Sequence, residues 1–420
     1  MAGSPLEQTA LLLGTLQARR ASLLHEVERV ERELGEVQAR HARLLNENAP
    51  ISKLPHELLG TIFYMCLGTW VMNPSKSRGK PFQVAASHVS HHWRETALGT
   101  PLLWNFIDLT VTQRKNVKEN ALQWFLAHLA RSRDSFLHIS LEISLNEAAH
   151  QFLFPLVQHS SRWRHLFISL TQGKLDDIHT LFSSASAPGL IHLSLRIGNH
   201  SESANAPRTE YPAICYPILK GGTPALNSVR LSGKILGNIS PPLSAVTTLF
   251  VEAFPKNLIS YSQFRALLAS VPYIINLSLS GLNIHLPRDP LTDSNPFCLP
   301  TLRSFRLHGN ATPVHRLLSF LSLPNLESLT LLSADSFDSA TLPSVRAVIL
   351  ESCDFNTDEV YNLCRAFPGV TDLSADGTLQ ELFSLLEENI SFWPNLITVS
   401  HGQKAKKSCN VYALTNGAAP

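Results

Sequence analysis

Residues 300–307, PTLRSFRL, and residues 324–331, PNLESLTL, share one frame: proline, one residue, an apolar anchor, two residues, then two apolar residues one apart. The frame recurs as RWRHLFI (162–168), PGLIHLSL (188–195), PALNSVRL (224–231), SAVTTLFV (244–251), PYIINLSL (272–279), PSVRAVIL (343–350), PGVTDLSA (368–375) and PNLITVSH (394–401). An apolar residue at every second position is the mark of a strand with one buried face. A strand this short cannot bury its apolar side alone, so each unit requires its neighbours. FLHISLEI (136–143) alternates in the same way, and Val117 to Ala130 places Leu122, Phe125, Leu126 and Leu129 on one helical face.

L-x-x-L-x-L at intervals of about 20 to 29 residues is the leucine-rich-repeat pattern. The expected fold class is therefore α/β: an N-terminal coiled-coil helix, a three-helix unit, and an irregular leucine-rich-repeat solenoid of about ten repeats over 135–400. Helical spacing at Phe264–Leu267–Leu268 and Leu382–Phe383–Leu386 fits helices that close the turns. Only Asn310 and Cys353 match the Asn/Cys that regular repeats place after the strand. The competing reading is an unrelated α/β domain with repeated Pro-Leu turns. In either case the residues flanking the anchors point outward, including Arg196, Arg230, Arg306, His308 and Glu351. On a concave strand-lined face these form the candidate binding surface for a target protein, basic in its first half and acidic toward Glu351, Asp372 and Asp376.

Within a coiled-coil helix expected over 6–47, residues 13–44 carry a seven-residue rhythm, with Leu13, Arg20, Val27, Leu34 and His41 at one seam position and Leu16, Leu23, Val30, Val37 and Leu44 at the other. This is a coiled-coil pattern, and the helix can pair with a second copy of itself. A parallel pair would set Glu26 against Glu31 and bury Arg20 and His41 in the seam. The alternative is an amphipathic helix folded back on the next domain.

The segment 51–106 reads as short helices. Pro55 stands near a first helical turn, ahead of Leu58, Leu59, Ile62 and Phe63. From Gln83 the residues Ala85, Val89, Trp93 and Ala97 step by four, which predicts one helix with Trp93 in its core row. His88, His91 and His92 then fall on the solvated side, with no cysteine or carboxylate at ligand spacing to complete a metal site. HELLG at His56 begins like a zinc-protease helix, but Gly60 stands where the second histidine is required. A connecting helix (107–134) follows, and a tail (401–420) closes the chain.

A charged fraction of 16% and a net charge of +2 give no pull toward nucleic acid or membrane. The six cysteines lack a C-x-x-C pair, which predicts an intracellular, reduced protein in the cytoplasm and/or nucleus. No G-x-S-x-G, Walker-type loop, G-x-G-x-x-G or metal-ligand set is present, so no catalytic residue, metal or cofactor is expected and the chain reads as a non-enzyme.

Leu54-Pro55-x-Glu57-Leu58, Ile62-Phe63, Val89-x-x-x-Trp93-Arg94, Ala97, Pro101 and Trp104 together resemble the F-box motif. The whole chain is similar to fungal F-box-like proteins with an N-terminal coiled coil and C-terminal leucine-rich repeats. Many F-boxes carry Cys where this chain has Ser90, and its loop from Gly68 to Pro81 is longer than in compact examples. The resemblance implies that 51–106 binds a Skp-type adaptor, and through it a cullin, using Leu54, Pro55, Glu57, Leu58, Ile62, Phe63, Val89, Trp93 and Trp104. It implies a substrate-recognition subunit of a Skp–cullin–F-box type E3 ubiquitin ligase whose repeats recruit a target protein. The runner-up is a leucine-rich-repeat scaffold not engaged with a ligase.

Overall fold

The computed structural model describes residues 5–72, 81–111, 115–144, 146–171, 175–198, 209–210, 215–233, 235–253, 257–287, 296–309, 312–334, 337, 341–376, 382 and 393–401. The chain divides into two compact units, residues 1–103 and 104–420. Residues 73–80 of the loop expected from Gly68 to Pro81, Asn310, Phe383, Leu386 and nearly all of the tail lie outside the described residues.

The first unit opens with helix α1, Pro5–Asn48. Both seam rows of α1 face solvent, with Leu13, Leu16, Leu23, Val30 and Leu34 each between 51% and 59% exposed. The reading in which this helix folds back to bury its seam is therefore corrected. Pro50, which cannot continue a helix, starts a 3-10 turn, Pro50–Lys53.

Helix α2 (His56–Met72), helix α3 (Phe82–Ala86), helix α4 (His91–Gly99) and a 3-10 turn (Pro101–Leu103) form the rest of the unit. Its small core is Leu59, Phe63, Leu67, Ala86, Ala97 and Leu103. Phe63 is the hub, with its ring 4.9 Å from Trp93 and 5.9 Å from Phe82. Gly60 permits close packing, because a Cβ there would lie 2.8 Å from the Thr100 hydroxyl. The single helix expected from Gln83 is two helices. Ser90 is extended, and its hydroxyl accepts from the Trp93 N–H at 3.2 Å, which starts α4 anew. The Ala85–Val89–Trp93–Ala97 row is broken as a result: Ala97 is buried and Trp93 half-buried, while Ala85 and Val89 are exposed.

The second unit is built on one twelve-stranded, all-parallel sheet whose strands follow chain order. They are β1 (Phe106–Val111), β2 (Leu137–Ile143), β3 (Trp163–Leu170), β4 (His192–Ile197), β5 (Ser228–Gly233) and β6 (Thr248–Glu252). The series continues with β7 (Asn276–Ser280), β8 (Ser304–His308), β9 (Ser328–Leu332), β10 (Ala347–Glu351), β11 (Asp372–Ala375) and β12 (Thr398–His401). The expected leucine-rich-repeat solenoid of about ten repeats is thus corrected to a long helix, a helical unit and a twelve-stranded parallel α/β sheet. The sequence frame reports only that alternate residues of a short strand are buried, a condition any half-covered parallel strand meets. How the chain returns between strands is not encoded in it, and the returns here differ from one another. Some are helices: α5 (Lys115–Arg131), α6 (Asn146–Val157), α7 (Leu175–Phe182), α8 (Tyr261–Ala269), α9 (Val314–Ser319) and α10 (Thr357–Ala366). Others form short parallel ladders, such as Phe297–Cys298 with Leu321–Ser322.

Register explains the burial. The row Ile107, Ile139, Leu166, Leu193, Val229, Leu249, Leu277, Phe305, Leu329, Val348 and Leu373 is aligned across neighbouring strands and buried throughout. Burying one such Leu, Ile or Val contributes about 1.5–3 kcal/mol. Several strands then leave the sheet through a left-handed residue. Gly281 (φ 64°), Gly309 (φ 51°) and Ser333 (φ 51°) donate their N–H groups to the carbonyls of His308, Leu332 and Glu351 on the next strand, each at 2.9 Å. Ser352 (φ 54°) departs from this scheme and donates to the Asp376 carboxylate at 2.7 Å. Asp376 is therefore a buried turn residue, which removes it from the acidic outward surface expected at the end of the sheet.

Candidate protein-binding surfaces

On the helical unit, α2 places Leu58, Ile62 and Met65 on one stripe by their i, i+4, i+7 spacing. All three face solvent, at 55%, 42% and 66% exposure. Large apolar side chains left uncovered on so small a unit make this stripe a candidate interaction surface. Val89, Leu98 and Leu102 are also exposed. Among the other residues singled out by sequence, Pro55 and Glu57 are exposed, while Leu54 is half-buried and its carbonyl meets His92 Nε2 at 3.2 Å. Phe63 is buried and Trp93 half-buried, so they hold the stripe in place from beneath. Trp104 belongs to the second unit, buried 4.9 Å from the His128 ring, with the Arg131 guanidinium 4.5 Å over its face. It is a packing residue there.

The histidines of the first unit are structural or solvated. His56 Nδ1 meets Thr96 Oγ1 at 2.6 Å and its ring packs 4.5 Å from His92. His91 reaches Glu95 at 3.4 Å on the surface. Among the described residues no group of three or more His, Cys, Asp or Glu side chains is placed to hold a metal ion.

The second surface is the outward face of the sheet. All-parallel sheets are ordinarily covered on both faces and then read as continuous apolar strands. Here the outward rows are polar and aromatic. The first runs Phe106, His138, His165, His192, Ser228, Thr248 in register. Phe106 stacks on His138 at 4.5 Å, His138 Nδ1 meets His165 Nδ1 at 2.9 Å, and His192 Nδ1 meets Ser228 Oγ at 3.0 Å. The Nδ1 to Nδ1 contact needs one donor and one acceptor, so the two rings cannot both be imidazolium. Burial, followed by the charges of its neighbours His165 and Arg164, lowers His138 to about 4. Burial, with His165 and Arg230, lowers His192 to about 4.

The next outward rows hold the sequence-predicted residues. Arg230 and Arg306 lie in the row that also carries Phe167 and Phe250, while Arg196, His308 and Glu351 lie in the row beyond. Arg230 Nη2 donates to Glu252 Oε2 at 3.0 Å, and Ser232 Oγ donates to the same oxygen at 2.9 Å. Burial alone would raise the Glu252 carboxyl, but the hydrogen bond and charge of Arg230, with Ser232 and Arg196, bring it below its ordinary value. Burial also pulls Arg196 down, with Glu252 opposing. Arg230 is thus ion-paired in place, and Arg196 lies within the field of the same carboxylate. Arg306 forms no hydrogen bond or ion pair among the described residues. His308 Nδ1 lies 3.1 Å from Ser280 Oγ.

Sequence reading missed His138, His165, Phe167, Phe250 and Glu252 on this face. The alternation itself could have found them, since FLHISLEI, RWRHLFISL and TTLFVE put these residues at the same alternate positions as Arg196 and Arg230. Among the described residues no helix is long and apolar enough to cross a membrane. No protein-family model matches the chain, and no curated protein matches it.

Proposed function

We propose that the chain is a non-catalytic recruiting subunit of a Skp–cullin–F-box type ubiquitin ligase, acting in the cytoplasm or nucleus. In this reading the helical unit docks on the Skp-type adaptor and the outward face of the sheet holds the protein to be ubiquitylated. The observation that carries it is the solvent-facing stripe Leu58–Ile62–Met65, which coincides with the part of the sequence that resembles an F-box. An adaptor that covered this stripe would bury the apolar surface the unit leaves open. The half-buried face bearing Arg196, Arg230, Arg306, Phe167 and Phe250 supports the second half of the proposal, because arginine and aromatic residues dominate binding energy at protein interfaces.

The test is affinity purification of the full chain, alongside a variant with Leu58→Glu and Ile62→Glu and another with Arg196→Glu, Arg230→Glu and Arg306→Glu. The first variant is expected to lose adaptor and cullin while retaining the target. The second is expected to lose the target while retaining the adaptor. Recovery of no adaptor with the unaltered chain contradicts the ligase reading and leaves a binding scaffold.

A further inference from the structure

We propose that the chain forms a homodimer by antiparallel pairing of α1 with a second copy of itself, independently of the adaptor reading above. Helix α1 has 44 residues, a length of about 66 Å, and its apolar seam is open to solvent from Leu6 to Leu44. Charge selects the occupant and its direction. In a parallel pair in register every seam residue meets its own counterpart, so Arg20 faces Arg20 and His41 faces His41, while the flanking Glu26 faces Glu31 on both sides.

Reversing one helix about a centre near residue 25 removes most of these conflicts. The layers become Leu6 on Leu44, Leu13 on Val37, Leu16 on Leu34, Arg20 on Val30 and Val27 on Leu23, each formed twice by symmetry, with Thr9 on His41 closing the ends. Arg20 now meets valine, over which its aliphatic stem can lie while the guanidinium reaches water. The antiparallel arrangement also sets flanks of one kind beside each other. Arg19 then stands beside Glu33 of the second copy, twice, and Leu24 meets Leu24 at the axis. One like-charge contact remains, Glu26 with Glu26, and Arg29 already relieves it within each helix at 3.6 Å from the Glu26 carboxylate.

Sedimentation equilibrium of the full chain tests the pairing. The unaltered chain is expected to be a dimer. Arg19→Glu, which replaces two attractive flank contacts with two repulsive ones, is expected to weaken dimerisation roughly tenfold. Adding Glu33→Arg restores the opposite-charge pairs and the affinity. In a parallel pair residue 19 would face Leu24 and residue 33 would face Gln38, so the double variant would show no rescue. Cysteines placed at 16 and 34 in separate chains are expected to cross-link when mixed, and the variant with Cys at 16 is expected not to cross-link to itself. A monomer at every concentration, a dimer without charge-swap rescue, or self-cross-linking through position 16 overturns the proposal.

Discussion

Acid should destabilise the sheet unit well above the pH at which carboxylates protonate, and His128 provides the cleanest perturbation. Its ring is buried between Trp104 and Trp124, with centroids 4.9 and 3.7 Å away, and Nδ1 lies 2.9 Å from the Trp124 carbonyl. Burial outweighs that hydrogen bond and, with Arg131, lowers His128 from 6.5 to about 4. Because the folded value lies below the unfolded one, the unfolded chain takes up a proton below pH 6.5 that the folded chain refuses. Stability therefore falls as pH falls, and the loss levels off near pH 4. Each such site costs about 1.4 kcal/mol per pH unit, or about 2 kcal/mol between pH 6.5 and 5. Counting one proton for His128 and one for the coupled row His138–His165–His192 gives a loss of about 4 kcal/mol, a large part of a domain's usual 5–15 kcal/mol. The assay is reversible urea unfolding of the full chain, followed by tryptophan fluorescence from pH 7.5 to 5. His128→Phe places an apolar ring there and removes one titrating site, so its stability curve should be flatter by about 1.4 kcal/mol per pH unit between pH 6.5 and 5. An unchanged slope in the variant would mean that His128 takes up no extra proton on unfolding, and the acid sensitivity would have to come from elsewhere.

Three further outcomes follow from packing. Phe63→Ala should cost about 3–5 kcal/mol and unfold the helical unit, whereas the half-buried Trp93→Ala should cost less, as thermal melts of the two variants will show. Ser90→Ala removes the cap of α4 and should lower stability by about 1 kcal/mol in the same melts. Gly369→Ala would drive a Cβ into Arg346 Nη1 and to 2.8 Å from the Pro343 carbonyl, dislodging a guanidinium that donates to the Gly369 and Pro343 carbonyls at 3.0 and 3.1 Å. A loss of about 1–3 kcal/mol on urea unfolding is expected there.

Strand positions were readable in the sequence because burial on one face imposes a period of two, and Phe305 with Leu307 keeps that period as well as Leu277 with Leu279 does. β1 escaped because Phe106 ended the motif segment and Ile107, Leu109 and Val111 were all assigned to the connecting helix expected over 107–134, which in the structure spans only Lys115–Arg131. The assembly of the strands was not readable, since identical frames are joined by returns of unrelated form. The break at Ser90 was missed for a different reason: four-residue spacing continues across it, and only the serine's capping chemistry betrays the new start. Alternation alone puts each histidine of the outward row on that face, but their meeting in one row could not be read from local pattern. His138, His165 and His192 stand 27 residues apart, and only the register of three strands brings them side by side. Similarly, the seam of α1 was readable from its heptads, but its exposure was not.

The recruiting role rests on the stripe of α2, and equilibrium binding of the purified full chain to a purified Skp-type adaptor measures it without intermediaries. A Kd below about 1 µM is expected, weakened on the order of a hundredfold by Leu58→Glu, which puts a charge into the centre of the buried contact. An unaltered chain that does not bind the adaptor at tens of micromolar, or binding indifferent to Leu58→Glu, Ile62→Glu and Met65→Glu alike, would exclude the stripe as an adaptor surface.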